Sequence, residues 1–111
     1  MTISTHVLDL SSGRPAPALR VRLELAHGDV WRAVAEAVTD SDGRIASLLH
    51  VDGAAPGDYR LSFELGEYFG ALGVETFFRR VVVEFIAGDA AAHYHVPLLV
   101  SPFGCTTYRG S

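Results

Sequence analysis

The sequence has 111 residues, 49% of them apolar and 20% charged, with a formal net charge of −4. That length holds one hydrophobic core and excludes two, the apolar share excludes a disordered chain, and the acidic balance excludes nucleic acid as the main partner. A lone cysteine, Cys105, excludes an internal disulfide and a thiolate metal cage. No apolar run approaches the ~20 residues that a membrane-spanning helix requires. The stretch Met1-Thr2-Ile3-Ser4-Thr5-His6 has no basic region followed by an apolar one, so no secretory signal is read. The expectation is a soluble, cytoplasmic chain with no membrane partner, residues 1–111 forming a single domain.

Period-two alternation bounded by Gly, Pro and Asp runs through the chain. His6 falls in an N-terminal strand and shares its facing with Ser4 and Leu8. Leu19, Val21, Leu23 and Leu25 alternate with Arg20, Arg22 and Glu24, as in a strand with one buried face. His27-Gly28-Asp29 reads as a hairpin turn into a strand over 30–38. Thr39-Asp40-Ser41-Asp42-Gly43 is a turn cluster before a short strand, 44–49. Tyr59, Leu61, Phe63 and Leu65 form another alternating strand, and the β-branched and aromatic run 81–86 a further one. Residues 66–75 break the pattern and predict a short helix, weakened by Gly70 and Gly73. A strand over 93–100 carries Pro97, the mark of an edge or a bulge, and 102–108 close the chain as a last short strand. These elements predict an all-β fold: a sandwich of two antiparallel sheets with one short helix.

In the strand over 93–100, Tyr94, Val96, Leu98 and Val100 share one face, and His93, His95, Pro97 and Leu99 the other. If the first set enters the core, the second gives an apolar outer surface that assembly would cover, with a cleft between subunits as one consequence.

Five histidines are candidates for chemistry. His27, in a turn, and His50, at a strand end, read as solvated. His93 and His95 fall on one strand face and leave three readings open: a structural pair, zinc ligands together with His6, or a metal-free acid/base site, since imidazole titrates near neutrality. Arg44, after Asp42-Gly43, is either a solvated turn residue or a guanidinium offered to a planar, oxygen-rich ligand. The ending Tyr108-Arg109-Gly110-Ser111 is either a loose terminus or a segment folded back onto a pocket.

Several of these segments occur together in one family. Ser4-Thr5-His6-Val7-Leu8-Asp9, Gly13-Arg14-Pro15-Ala16, Thr39 with Asp42-Gly43-Arg44, and His93-Tyr94-His95-Val96-Pro97-Leu98-Leu99 followed by Ser101-Pro102 resemble the transthyretin-related proteins. The ending Tyr108-Arg109-Gly110-Ser111 is similar to that of one branch, the 5-hydroxyisourate hydrolases. The resemblance runs from the first strand to the last residue. It implies a transthyretin-like β-sandwich, assembled as a homotetramer with sites at the interface between dimers. It also implies a cofactor-free, metal-free hydrolase for a small molecule, opening the ring of 5-hydroxyisourate in urate degradation. By the same resemblance His6, Arg44, His95 and Ser111 are the catalytic set, and His6, Arg44, Tyr108, Arg109, Gly110 and Ser111 bind substrate. The chain departs from the family at Arg79-Arg80, where many members carry Pro, and at Cys105, where an aromatic residue is common; neither departure touches the site residues. The rival readings are a non-enzymatic carrier of small aromatics and a zinc hydrolase built on His6, His93 and His95.

Overall fold

Strands with one apolar face must bury it, and here two sheets do so against each other. The computed structural model describes residues 1–50 and 55–111, and the backbone alone at residue 50. In chain order the elements are β1 (Thr2–Asp9), β2 (Arg14–Pro15), β3 (Arg20–His27), β4 (Val30–Val38), β5 (Arg44–His50), β6 (Gly57–Phe63), α1 (Leu65–Ala71), β7 (Val81–Ala87), β8 (His93–Ser101) and β9 (Gly104–Thr107). One sheet runs β2-β1-β8-β9, with β5 also on β1; the other runs β4-β3-β6-β7. The strands lie close to where the alternation puts them. The two-residue β2 is an addition that no period could show, and Leu65 begins the helix instead of ending a strand. Among the described residues no helix is long and apolar enough to cross a membrane.

Ile3, Val7 and Leu98 of the first sheet and Val21, Leu23 and Leu61 of the second are fully buried in one core, joined by Leu65 and Phe69 of α1. Each such side chain contributes about 1.5–3 kcal/mol relative to exposure. Asp9, at the end of β1, ties this core to the helix by accepting a 2.8 Å hydrogen bond from the Tyr68 hydroxyl. Burial alone would raise the Asp9 carboxyl, but hydrogen bonds from Ser11, Tyr68 and Ser12 hold it below its ordinary value. Burial and that carboxylate push the Tyr68 phenol up to about 12.

Two features depart from the sequence reading. First, the ladder between β1 and β8 is parallel, whereas the others are antiparallel. All of the second sheet is built between these two strands, a crossover long enough to return the chain in the same direction. Alternation is the same in both ladder types, so the sequence pattern does not reveal it. Second, Pro97 is not on an edge strand, because β8 is paired on both sides. Its carbonyl accepts from the Thr107 hydroxyl at 2.7 Å, so its nitrogen faces the same side. There the ladder to β9 stops at Leu98–Thr107 and resumes only as a bridge from His95 to Gly110. A proline fits that interruption because no donor is needed from it.

The turn before β5 is fixed by Asp40. Its carboxylate accepts from the backbone N–H groups of Asp42 and Arg44, both at 2.9 Å, and its carbonyl accepts from Gly43 N–H at 2.9 Å. Gly43 has φ +73°, and a Cβ there would lie 2.4 Å from the Val7 carbonyl oxygen. The glycine therefore lets the turn rest directly on β1. Gly43→Ala is expected to destabilise the fold by about 2 kcal/mol or more, read as a lower urea midpoint, whereas Gly28→Ala, which meets no neighbour within 4 Å, carries only the cost of its backbone conformation.

Candidate active site

The outer face of the first sheet carries the cluster, and strand register assembles it. Ser4 lies opposite His95, and His6 opposite Pro97, across the parallel ladder. His6 lies opposite Arg44 across the ladder to β5. Residues two apart on a strand share a face, so Ser4, His6, Arg44, His93 and His95 all point to the same side. The β1–β5 register slips between Ile3/Thr5 and Leu49/Ile45, leaving residues 46–48 of β5 against Ser4 alone. A bulge of this kind bends the strand, and a cleft of about 240 Å³ opens beside Ser4. It is lined by Ser4, Thr5, Arg44, His93, His95 and Ser111, with Ile45 and Ala46 at the β5 side.

A chain of hydrogen bonds runs beneath it. Ser4 Oγ is 2.8 Å from His95 Nδ1 and 3.2 Å from His93 Nε2, and Thr2 Oγ1 bonds His93 Nδ1. The two imidazoles are nearly parallel, 13° apart, with centroids separated by 6.3 Å. Burial, then the neighbouring His93, Arg44 and His6, lower the His95 pKa from its ordinary value. His95 is thus a neutral imidazole at neutral pH, able to accept a proton.

The tail completes one side. Gly110 N–H donates to the His95 carbonyl at 2.8 Å. A Cβ on Gly110 would sit 2.5 Å from His95 Cδ2 and 3.1 Å from Pro97 Cγ, so glycine allows the backbone to lie against the ring. Ser111 then reaches the cleft. Tyr108 and Arg109 do not line it; they border a neighbouring apolar groove of about 210 Å³ with Val83, Phe85 and Tyr94, which His95 also lines, and the Arg109 guanidinium lies 5.0 Å from the Tyr94 ring centroid. His6 stands next to the lining, opposite Arg44. Among the described residues no group of three or more His, Cys, Asp or Glu side chains is placed to hold a metal ion.

Of the residues singled out from the sequence, the structure brings Arg44, His93, His95 and Ser111 into one cleft with His6 at its border and Gly110 against His95. Ser4 and Thr2 were not singled out. Their signal was the shared alternation of positions 2, 4 and 6 with 93 and 95, which acquires meaning only when the two strands are neighbours.

A model of the HIUase/Transthyretin family matches residues 3–110. The chain belongs to this family. The 5-hydroxyisourate hydrolase of Salmonella typhimurium is 46% identical over 109 residues, 98% of this chain and 80% of the relative. A solved 5-hydroxyisourate hydrolase of Klebsiella pneumoniae matches with a TM-score of 0.88 at 40% identity, covering 100% of each chain. Transthyretin from Sparus aurata matches with a TM-score of 0.92 at 30% identity, covering 98% of this chain and 96% of that one. The family's two-sheet sandwich is the fold of this chain. Because hydrolases and a transthyretin share it, the backbone alone does not choose between their activities.

The electrostatics have a direct test. His95 is expected to titrate below the ordinary imidazole value of about 6.5, and Arg44→Met, by removing a nearby cation, to raise that midpoint, both followed by NMR. A folded-state pKa below the unfolded one means that the unfolded chain binds the proton first. His95 therefore lowers stability as the pH falls below its ordinary value and has no effect well above it.

Proposed function

We propose that this chain is a 5-hydroxyisourate hydrolase, opening the six-membered ring of 5-hydroxyisourate to 2-oxo-4-hydroxy-4-carboxy-5-ureidoimidazoline in urate degradation. The observation that carries the reading is a half-buried imidazole, His95, held neutral in a cleft it shares with a guanidinium, Arg44. Sequence identity to the relatives named as hydrolases supports it.

The reaction needs water made nucleophilic and negative charge stabilised at a carbonyl oxygen. His95 Nε2 takes a proton from water as the water oxygen adds to the ring carbonyl. Arg44, whose exposed side chain lines the same cleft, meets the oxyanion that forms. The carbon–nitrogen bond then breaks, the nitrogen receives a proton, and the new carboxylic acid ionises, so hydrolysis releases one net proton. His6 orients the water or the ring from its place opposite Arg44. Ser111 and Gly110 position the substrate, whereas Tyr108 and Arg109, expected from the resemblance to bind it, border the neighbouring apolar groove. No cofactor enters this scheme. A carrier would need shape and apolar contact, not a base paired with a cation, and the zinc reading would need His6, His93 and His95 to converge on one point.

The site is completed, in this reading, by assembly into a homotetramer with sites between dimers. A cleft of about 240 Å³ is smaller than the roughly 300–1,000 Å³ of typical ligand pockets, and a second copy across the outer face would deepen and enclose it.

Addition of the protein to freshly prepared 5-hydroxyisourate is expected to accelerate its ultraviolet decay over the spontaneous rate, undiminished by EDTA; decay at the spontaneous rate would overturn the reading. His95→Ala and Arg44→Ala are each expected to lower kcat/KM by about 10²–10³-fold with circular dichroism unchanged. Gly110→Ala should also lower kcat, since its methyl group must displace the His95 ring or the tail.

A further inference from the structure

The base in this scheme has to lose the proton it takes. Holding it as an imidazolium is disfavoured where His95 lies, half-buried and facing Arg44 of β5, His6 of β1 and His93 of β8, with Arg109 of the tail nearby. Nδ1 of His95 is already bonded to Ser4, whose oxygen also reaches the second imidazole. That second ring, His93, is exposed and bonded to Thr2.

We propose that Ser4, His93 and Thr2 form a proton relay from His95 Nδ1 to the surface, with His93 as its outer imidazole. The inference rests on the hydrolase reading for its purpose but on the hydrogen-bond chain for its structure. A serine hydroxyl has one proton to donate and lone pairs to accept, and a neutral imidazole has one donor and one acceptor nitrogen. The chain can therefore be satisfied in one continuous direction. His95 Nδ1–H donates to Ser4 Oγ, Ser4 Oγ–H donates to His93 Nε2, and His93 Nδ1–H donates to Thr2 Oγ1. This leaves His95 Nε2 with a lone pair for water.

When Nε2 takes a proton, the Nδ1 proton passes to Ser4, the Ser4 proton to His93 Nε2, the His93 Nδ1 proton to Thr2, and the outer Thr2 proton leaves to solvent. Four bonds to hydrogen break and four form along the path, so every group ends neutral. The whole chain has reversed direction, and His95 now carries its proton on Nε2; as that proton passes to the leaving nitrogen the chain runs back, Thr2 taking a proton from solvent and His95 Nδ1 one from Ser4, so no imidazolate forms. The ring separation of 6.3 Å between centroids excludes direct transfer between imidazoles, and Ser4, within hydrogen-bond distance of both, supplies the link. His93 acts through Ser4 and His95 and is a positioning and relay residue, not one that touches the reacting atoms.

The test uses His93→Gln, whose amide can keep a hydrogen bond to Ser4 but cannot pass a proton, and Ser4→Ala, which removes the link. In dilute non-imidazole buffer each is expected to lower kcat about tenfold with KM within about twofold, and the double variant to be no worse than either single one, since both cut one path. Added imidazole should restore the His93→Gln rate in a saturable manner and leave the unaltered protein unchanged. Full kcat in His93→Gln, a loss that imidazole does not restore, or a loss confined to KM would overturn the relay. A second measurement is independent of turnover. Imidazole nitrogen NMR of the unaltered protein at neutral pH is expected to show His95 and His93 both protonated on Nδ1, and an Nε2-protonated His95 at rest would overturn the proposal. A protein that fails to hydrolyse 5-hydroxyisourate would sink the functional reading, while the tautomers would still decide the relay.

Discussion

The parallel pairing of β1 with β8 is the constraint on which the site depends. It sets Ser4 beside His95 and His6 beside Pro97, although these residues lie at opposite ends of the chain. Had the strands met antiparallel, or slipped by one position, Ser4 would face a different partner or point into the core. The ladder is held by burial on its other face, where Ile3, Val7, Leu98 and Val100 are fully excluded from solvent. A one-residue slip of β1 would expose Ile3 and Val7 at a cost of about 1.5–3 kcal/mol each. The core thereby enforces the register of the polar face.

Around that ladder, departures from regular sheet geometry make room for chemistry. The bulge in β5 sets residues 46–48 against Ser4 alone, and the cleft lies there, with Ala46 in its lining. The break in the β8–β9 ladder at Pro97 frees the tail to leave the sheet and return at Gly110. Gly43 lets the turn carrying Arg44 rest on β1, and Gly110 lets the tail rest on the His95 ring. The two glycines serve the same end, close approach of backbone where a side chain would push functional groups apart. Such irregularities belong at sites because a regular sheet has no concavity in which to hold a ligand.

The electrostatic character of the cleft follows from the same placement. Positive or protonatable groups surround His95, and its partial burial weakens their screening by water. The result favours a neutral ring and penalises an imidazolium. That suits an acceptor of protons, and it makes a route for discharging them valuable. Ser4, His93 and Thr2 lie along the line from the half-buried ring to the exposed one, which is why the hydroxyls of β1 gain a role that their residue types alone would not assign.

Much of this was legible in the sequence. Period-two alternation marked the long strands and the core face of β8, because burial on one side of a sheet imposes that period directly. The asparagine-free turns, with Asp40 and Gly43, were readable for an equally local reason: the hydrogen bonds and the left-handed backbone they require span only a few residues. Family resemblance supplied His6, Arg44, His95 and Ser111 as a set. What the tertiary structure alone decided was adjacency. The direction of the β1–β8 ladder, the bulge facing Ser4, the split of the tail between cleft and apolar groove, and the link from His95 through Ser4 to His93 all depend on which strands become neighbours. Alternation is blind to that choice, since a strand shows the same pattern whether its partner runs parallel or antiparallel and whether that partner is ten or ninety residues away.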